Sequence, residues 1–135
     1  MQNMRMPETL LFFVDDDADD HVIFSDLVSR EFPGVSLSFF FSGPELLNYL
    51  DTEDAVIPDA IILDYNMPMV NGLECLRELK KMPGLPDIPV VIYSTSGYPG
   101  AVEMAKNAGA WRYEVKGDSR DTRELVQRIL KLNKK

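Results

Sequence analysis

Cysteine, histidine and tryptophan occur once each in this chain of 135 residues, and basic residues are outnumbered by acidic ones, 14 against 22. The lone Cys75 has no partner within the chain, which excludes an intrachain disulfide. It falls in the helical pattern Asn71-Gly72-Leu73-Glu74-Cys75-Leu76, where a small buried apolar role is expected. A formal net charge of −8 argues against broad nucleic-acid binding through phosphate contacts. It suits a protein that recognises other proteins or a cation. No apolar run approaches the roughly 20 residues of a membrane span. Met1 to Glu8 lacks the apolar core of a signal peptide. A cytoplasmic location is the expectation. Repeats, linkers and low-complexity stretches are also missing.

What is present is a packable chain. Apolar residues make up 45% of it, too many for disorder, and the length suits one domain with one core. Strand-like and helical stretches alternate throughout. Leu10 to Val14 reads as a first strand. Asp19 to Glu31 reads as a helix, with apolar spacing at Val22, Ile23, Leu27 and Val28 and a stop at Phe32-Pro33-Gly34. Val35 to Phe41 is rich in β-formers. Ser42-Gly43-Pro44-Glu45 opens a second helix in the manner of a capping box; it carries Leu46, Leu47 and Leu50 and ends near Asp51. Pro58-Asp59 leads into a third strand, Ala60 to Leu63. Asn71-Gly72 opens a third helix with Leu73, Leu76 and Leu79, and Met82-Pro83-Gly84 ends it. Val90 to Tyr93 is a fourth strand, Gly97 to Gly100 a loop, Ala101 to Asn107 a short helix and Tyr113 to Val115 a fifth strand. The last helix runs from about Asp121 to Leu132, apolar at Leu125, Val126, Ile129 and Leu130, with a basic end at Arg128, Lys131, Lys134 and Lys135. Five strands alternating with five helices imply an α/β fold with a parallel sheet covered on both faces. The domain is expected over residues 9–132, with flexible termini at 1–8 and 133–135.

The strand ends carry the chemistry. In open α/β sheets ligands bind beyond the C-terminal ends of the strands. Here those ends deliver Asp15-Asp16, Asp64, Ser94-Thr95 and Lys116. If the first and third strands are neighbours, Asp15, Asp16 and Asp64 converge. Each close carboxylate pair repels by on the order of 4 kcal/mol at an effective dielectric of about 20. Such a cluster suits a cation or a shared proton. All-oxygen ligands, with no histidine in the pattern, favour Mg²⁺ or Mn²⁺. Lys116 adds a point charge and Ser94 a hydroxyl donor, both suited to phosphoryl oxygens. Asp64, alone at its strand end and facing the other acids, is the candidate nucleophile that would become an acyl phosphate.

These residues, in this order and spacing, resemble the receiver domain of two-component response regulators, in a stand-alone, chemotaxis-regulator-like form. Asp15-Asp16 after Leu11-Phe12-Phe13-Val14 resembles the family's acidic pair. Asp64 with Asn66-Met67-Pro68 and Gly72 resembles its phosphoacceptor segment, Ser94 its switch hydroxyl, Lys116 its invariant lysine and Tyr113 its switch aromatic. The resemblance covers about residues 9–132 and implies a flavodoxin-like five-stranded sheet in the order 2-1-3-4-5. It implies a signalling protein and not a dedicated enzyme, with intrinsic autophosphorylation and autodephosphorylation. By it, Asp16, Asp64 and the backbone carbonyl of Asn66 would hold Mg²⁺, and Asp15 would act mainly through metal-bound water. Asp64 would take a phosphoryl group from a histidine kinase or a histidine phosphotransfer protein. Lys116 and Ser94 would contact that group, and Tyr113 would turn inward to remodel the face of helix four, strand five and helix five for a downstream protein. No effector domain fits after Leu132, so output is expected through protein binding or onward phosphoryl transfer. The resemblance breaks at Gly117, where the family usually carries proline, often after a cis bond. Glycine does not favour a cis peptide, so the loop placing Lys116 is expected to be more mobile, and Gly117→Pro to tighten phosphoryl binding or leave it unchanged.

Other readings of the same residues are weaker. A haloacid dehalogenase-type phosphohydrolase would use Asp15-Asp16-Asp17, Ser94 and Lys116, but the chain leaves no room for a cap, and Asp64 would have no role. A degenerate receiver acting as a docking module would not need the acids, Ser94 and Lys116 intact. Asp15, Asp17, Asp19 and Asp26 partly imitate a calcium loop, yet Asp20 stands where its glycine belongs. Asp19 and Asp20 read as acids at a helix N-terminus, which the helix dipole favours. His21 reads as lying on a solvated helix face. Phe39, Phe40, Phe41 and Trp111 read as core or partly buried surface, Tyr98 and Trp111 as candidates for a partner surface, and Asn66 and Ser96 as residues that tune acyl-phosphate lifetime.

Overall fold

The computed structural model describes residues 8–95 and 100–133. Strands and helices alternate: β1 (Thr9–Val14), α1 (Ala18–Glu31), β2 (Val35–Phe40), α2 (Gly43–Leu50), β3 (Ala60–Asp64), α3 (Gly72–Lys81), β4 (Val90–Ser94), α4 (Ala101–Asn107), β5 (Arg112–Val115) and α5 (Ser119–Asn133). The strands pair in parallel in the order β2-β1-β3-β4-β5. This is the expected doubly wound sheet. Ser96, Gly97, Tyr98, Lys134 and Lys135, and residues 1–7, lie outside the described residues. Among the described residues, no helix is long and apolar enough to cross a membrane.

Burial explains why the central strands are continuous apolar runs. Every residue of β3 and β4 is buried, whereas the edge strand β2, with Ser36 and Ser38, is mostly half-buried. The two-residue period of a strand sends alternate side chains to opposite faces. Leu11, Phe13, Ile62, Val91 and Tyr93 meet Phe24 and Val28 of α1 and Leu125, Val126 and Ile129 of α5. Phe12, Val14, Ile61, Leu63 and Ile92 meet Leu46 and Leu50 of α2, Leu73, Cys75, Leu76 and Leu79 of α3, and Ala105 of α4. Cys75 is fully buried, as its pattern predicts, and burial pushes its thiol pKa up to about 12.

Helix starts agree with the sequence signals. Ser42 accepts from the Glu45 N–H, and Glu45 accepts in return from the Phe41 N–H. Asn71 and Glu74 form a reciprocal capping box at α3. The last helix begins two residues earlier than its apolar spacing suggests. Asp118 Oδ1 accepts from the N–H groups of Arg120 and Asp121, while Asp121 Oδ2 accepts from the Asp118 N–H.

The apolar stripe of α1 differs from expectation. Val22 and Ile23 are 66% and 67% exposed, and the buried positions are His21, Phe24, Leu27 and Val28. Three or four residues before Leu27 and Val28 stands Phe24, and the same interval before Phe24 reaches His21 and Asp20, so the sheet-facing stripe carries polar residues at its start. His21 is therefore not on a solvated face. Its ring stacks on Phe41 at 4.3 Å, lies beside Phe39, and meets Phe13 edge-on. Phe40 is buried and Phe41 half-exposed, within the range expected. At its far end α1 is tied to α5, where Arg123 grips the Glu31 carboxylate with two nitrogens.

Candidate functional site

Sheet register delivers the site. Val14 pairs with Leu63, Asp64 with Tyr93, and Ser94 with Val115, so Asp15, Asp64, Ser94 and Lys116 arrive at one edge. The Lys116 N–H donates to the Ser94 carbonyl at 2.6 Å and the Tyr65 N–H to the Tyr93 carbonyl at 2.9 Å, continuing the sheet beyond its strands. Strand alternation then sorts the side chains. Asp15 and Asp64 continue the α1/α5 face, and Lys116 reaches both. Ser94 and Tyr113 continue the opposite face, where Tyr113 packs half-buried against the core.

Asp15, Asp16 and Asp64 each offer an oxygen within 4.8 Å of the others. Asp15 and Asp64 are buried and Asp16 is exposed. The Asp15 carboxylate also accepts from the Asp17 N–H at 2.9 Å, which holds the loop into α1. Lys116 Nζ lies 2.9 Å from Asp15, 2.9 Å from Asp20 and 3.3 Å from Asp64. It also sits 5.7 Å above the Tyr93 ring, whose hydroxyl is within hydrogen-bond reach of Thr122 on α5. Asn66 is exposed at the start of the loop after β3, and its N–H donates to Asp64 at 3.4 Å. Ser94 is buried at the end of β4 and Thr95 is exposed.

The charges do not balance. Among the described residues, four carboxylates (Asp15, Asp16, Asp20 and Asp64) face a single ammonium. Burial and the Asp15 charge push Asp64 up to about 6, against 3.8 for an ordinary aspartate, and burial raises Asp15 as well. Burial opposes the Lys116 charge, but its bonds to Asp20 and Asp15 outweigh that and hold it firmly protonated. This is the electrostatic signature of a place that gains by taking up a cation. The donor set, all carboxylate oxygens on one edge, fits a hard divalent metal.

The calcium-loop pattern is not assembled. Asp26 pairs with Arg30 on the outside of α1, and Asp17 caps that helix by accepting from the Asp19 N–H. Two residues next to the site have no role in the sequence pattern. Asp20, a helix-start acid by sequence, binds Lys116. His21 donates Nε2–H to the Asp15 carbonyl at 2.6 Å; an oxygen there can only accept, so Nε2 carries the proton. Their signal is the α1 stripe: extended back from Phe24, it points both at the sheet's active edge.

Gly117 comes after Lys116 in an exposed turn, and no cis peptide occurs among the described residues. A Cβ at 117 would overlap the Asp121 carboxylate where it folds back to cap α5. The glycine therefore makes room for that cap.

A doubly wound sheet with acids and a lysine at one edge is the arrangement in hand, and comparison with known proteins places it in a class of signalling domain. Residues 11–131 match the response regulator receiver domain family, and the chain belongs to it as a receiver domain of a response regulator in two-component signalling. It is 35% identical over 114 residues to the two-component response regulator ORR8 of Oryza sativa subsp. indica, covering 84% of this chain and 88% of that protein. Among solved structures it resembles the Mn²⁺-bound form of response regulator Rcp1, at 26% identity and TM-score 0.76, covering 90% of this chain and 91% of that one. It also resembles the phosphorylated cyanobacterial phytochrome response regulator RcpA, at 27% identity and TM-score 0.76, covering 93% and 91%.

Proposed function

We propose that Asp64 accepts a phosphoryl group from a phosphohistidine on a histidine kinase or histidine phosphotransfer protein, as a step of a cytoplasmic phosphorelay. The observation that carries this reading is the meeting of Asp64 with Asp15, Asp16 and the Lys116 ammonium at the sheet edge. A carboxylate oxygen of Asp64 would attack phosphorus; the new P–O bond forms as the P–N bond to the donor imidazole breaks. Lys116 is close enough to Asp64 to stabilise negative charge gathering on the transferring oxygens. Ser94, at the neighbouring strand end but on the other face, would move toward the phosphoryl group to bring its hydroxyl to it. Asp15, Asp16, Asp64 and the backbone carbonyl of Asn66 would hold Mg²⁺ or Mn²⁺. When bound, the metal supplies neutralising charge for the phosphoryl oxygens. The Mn²⁺-bound relative supports a divalent ion here.

Output would run through the other face. Ser94 and Tyr113 share the side of the sheet opposite Lys116, so a movement of Ser94 toward the phosphoryl group would open space on the face where Tyr113 packs. Such a switch works because the phosphoryl group bonds the two arrangements unequally. The α4-β5-α5 face would then recognise a downstream protein. Wild type and Asp64→Asn, incubated with Mg²⁺ and acetyl phosphate and read by intact mass, test the reading. One phosphoryl group on wild type and none on Asp64→Asn is expected. Steady turnover of small phosphate esters would instead mark a phosphohydrolase, and no change in either protein a docking module.

A further inference from the structure

Lys116 has three N–H donors, and three carboxylates lie within ion-pair distance of them. Two of those carboxylates would change their bonding in the reaction proposed above. Asp64 becomes covalently modified, and Asp15 belongs to the group that converges on a cation. Asp20 does neither. It lies outside the converging acids and holds Lys116 Nζ at 2.9 Å from the first turn of α1, not from a strand end. Burial works to raise its pKa, yet the lysine outweighs that and keeps it charged.

The lysine needs such an anchor. Its backbone N–H is held by the Ser94 carbonyl, and the next residue, Gly117, has no side chain with which to brace the turn. A flexible side chain of four methylenes, released from Asp64, would otherwise be held at its tip only by Asp15, whose oxygens also face the cation site, and by the Tyr93 ring. We infer that Asp20 is the positioning residue for Lys116, a fixed point on a rigid helix that aims the ammonium at the phosphoryl group before and after transfer. The inference rests on the phosphoacceptor reading and adds to it a residue that acts only through Lys116. Positioning from a helix is more exact than positioning from a loop.

The test measures Mg²⁺-dependent phosphorylation by acetyl phosphate in wild type, Asp20→Ala, Asp20→Glu and Asp19→Ala. Asp19 is an exposed acid one residue earlier and controls for lost charge at the helix start. Asp20→Ala is expected to lower the maximal rate roughly tenfold, the scale of one hydrogen bond to a charged group. Half-saturation by donor should stay unchanged, Asp20→Glu should recover part of the rate, and Asp19→Ala should match wild type. In a Lys116→Ala background, Asp20→Ala should add nothing. A wild-type rate for Asp20→Ala overturns the inference, as does an equal further loss in the Lys116→Ala background. If wild type takes up no phosphoryl group, the phosphoacceptor reading fails, and the ¹⁵N resonance of the Lys116 ammonium decides the positioning by itself. A sharp, slowly exchanging signal lost in Asp20→Ala supports the anchor; an unchanged signal overturns it.

Discussion

A Cβ on Gly72 would stand 2.6 Å from the carbonyl oxygen of Asp64, and 2.9 Å from Cα of Tyr65. Both are backbone atoms and cannot step aside. The start of α3 is thereby pressed onto the end of β3, with the Gly72 N–H donating to the Tyr65 carbonyl at 3.0 Å. Gly72→Ala is expected to cost about 1–3 kcal/mol, as overpacking does, and to weaken divalent-cation binding by moving Asp64. Urea denaturation and a Mg²⁺ titration check the two effects. Full stability in the variant would mean the loop has another way to seat.

The raised Asp64 pKa sets a pH dependence. A carboxylate whose folded pKa is about 6, against 3.8, contributes stability below its unfolded value and loses it as pH rises through the folded one. In chelator, wild type should therefore lose stability relative to Asp64→Asn between about pH 4 and 7, by on the order of 2 kcal/mol. Saturating Mg²⁺ should restore much of this in wild type and little in Asp64→Asn. Urea midpoints of the two proteins across that range, with and without Mg²⁺, measure it; parallel pH curves would contradict the charge cluster.

Gly117 and Asp121 should behave as a coupled pair. Gly117→Ala displaces the Asp121 carboxylate and breaks its bond to the Asp118 N–H, at about 0.5–2 kcal/mol for a lost cap. With Asp121→Ala already present, the same substitution should cost little more. A double-mutant cycle on melting curves reads the coupling. Proline at 117 carries the same Cβ, so any gain from stiffening the turn competes with the loss of this cap.

His21 is expected to matter more than its place near a helix start suggests. His21→Phe preserves stacking on Phe41 but leaves the Asp15 carbonyl without its ring donor. A stability loss of about 1–3 kcal/mol is expected, with weaker Mg²⁺ affinity because the Asp15 loop loosens. Equal cation affinity in the variant would confine His21 to packing.

The alternation of strands and helices and the polar residues Asp15, Asp64, Ser94 and Lys116 at the strand ends are legible in the sequence because they depend on apolar runs and on the residue that closes each run. The strand order that brings Asp15, Asp16, Asp64 and Lys116 together follows from the family resemblance and not from the runs. Helix faces are less so. Val22 and Ile23 look like core in a linear pattern, yet the rotation of α1 is set by Phe24, Leu27 and Val28 together, and it puts them outside. His21 and Asp20 escape the linear pattern for the same reason. A polar residue on the first turn of a buried stripe looks solvated until the sheet edge beneath it supplies a carbonyl and an ammonium. The purpose of Gly117 is hidden too, because Asp121, four residues on, bends back through a cap that spacing alone does not reveal.

Asp15 and Lys116 are 101 residues apart in the chain, and β5 holds only four residues at the sheet's rim. Parallel pairing of distant segments is slow to form, since loop closure precedes its reward. Until β5 docks, the sheet edge holds carboxylates without their ammonium and repels itself. Docking of that short strand brings in one positive charge and eases the repulsion. The Lys116 ammonium thus favours docking of this rim strand, and a chain without β5 in place would have the acids of the site but not their one ammonium.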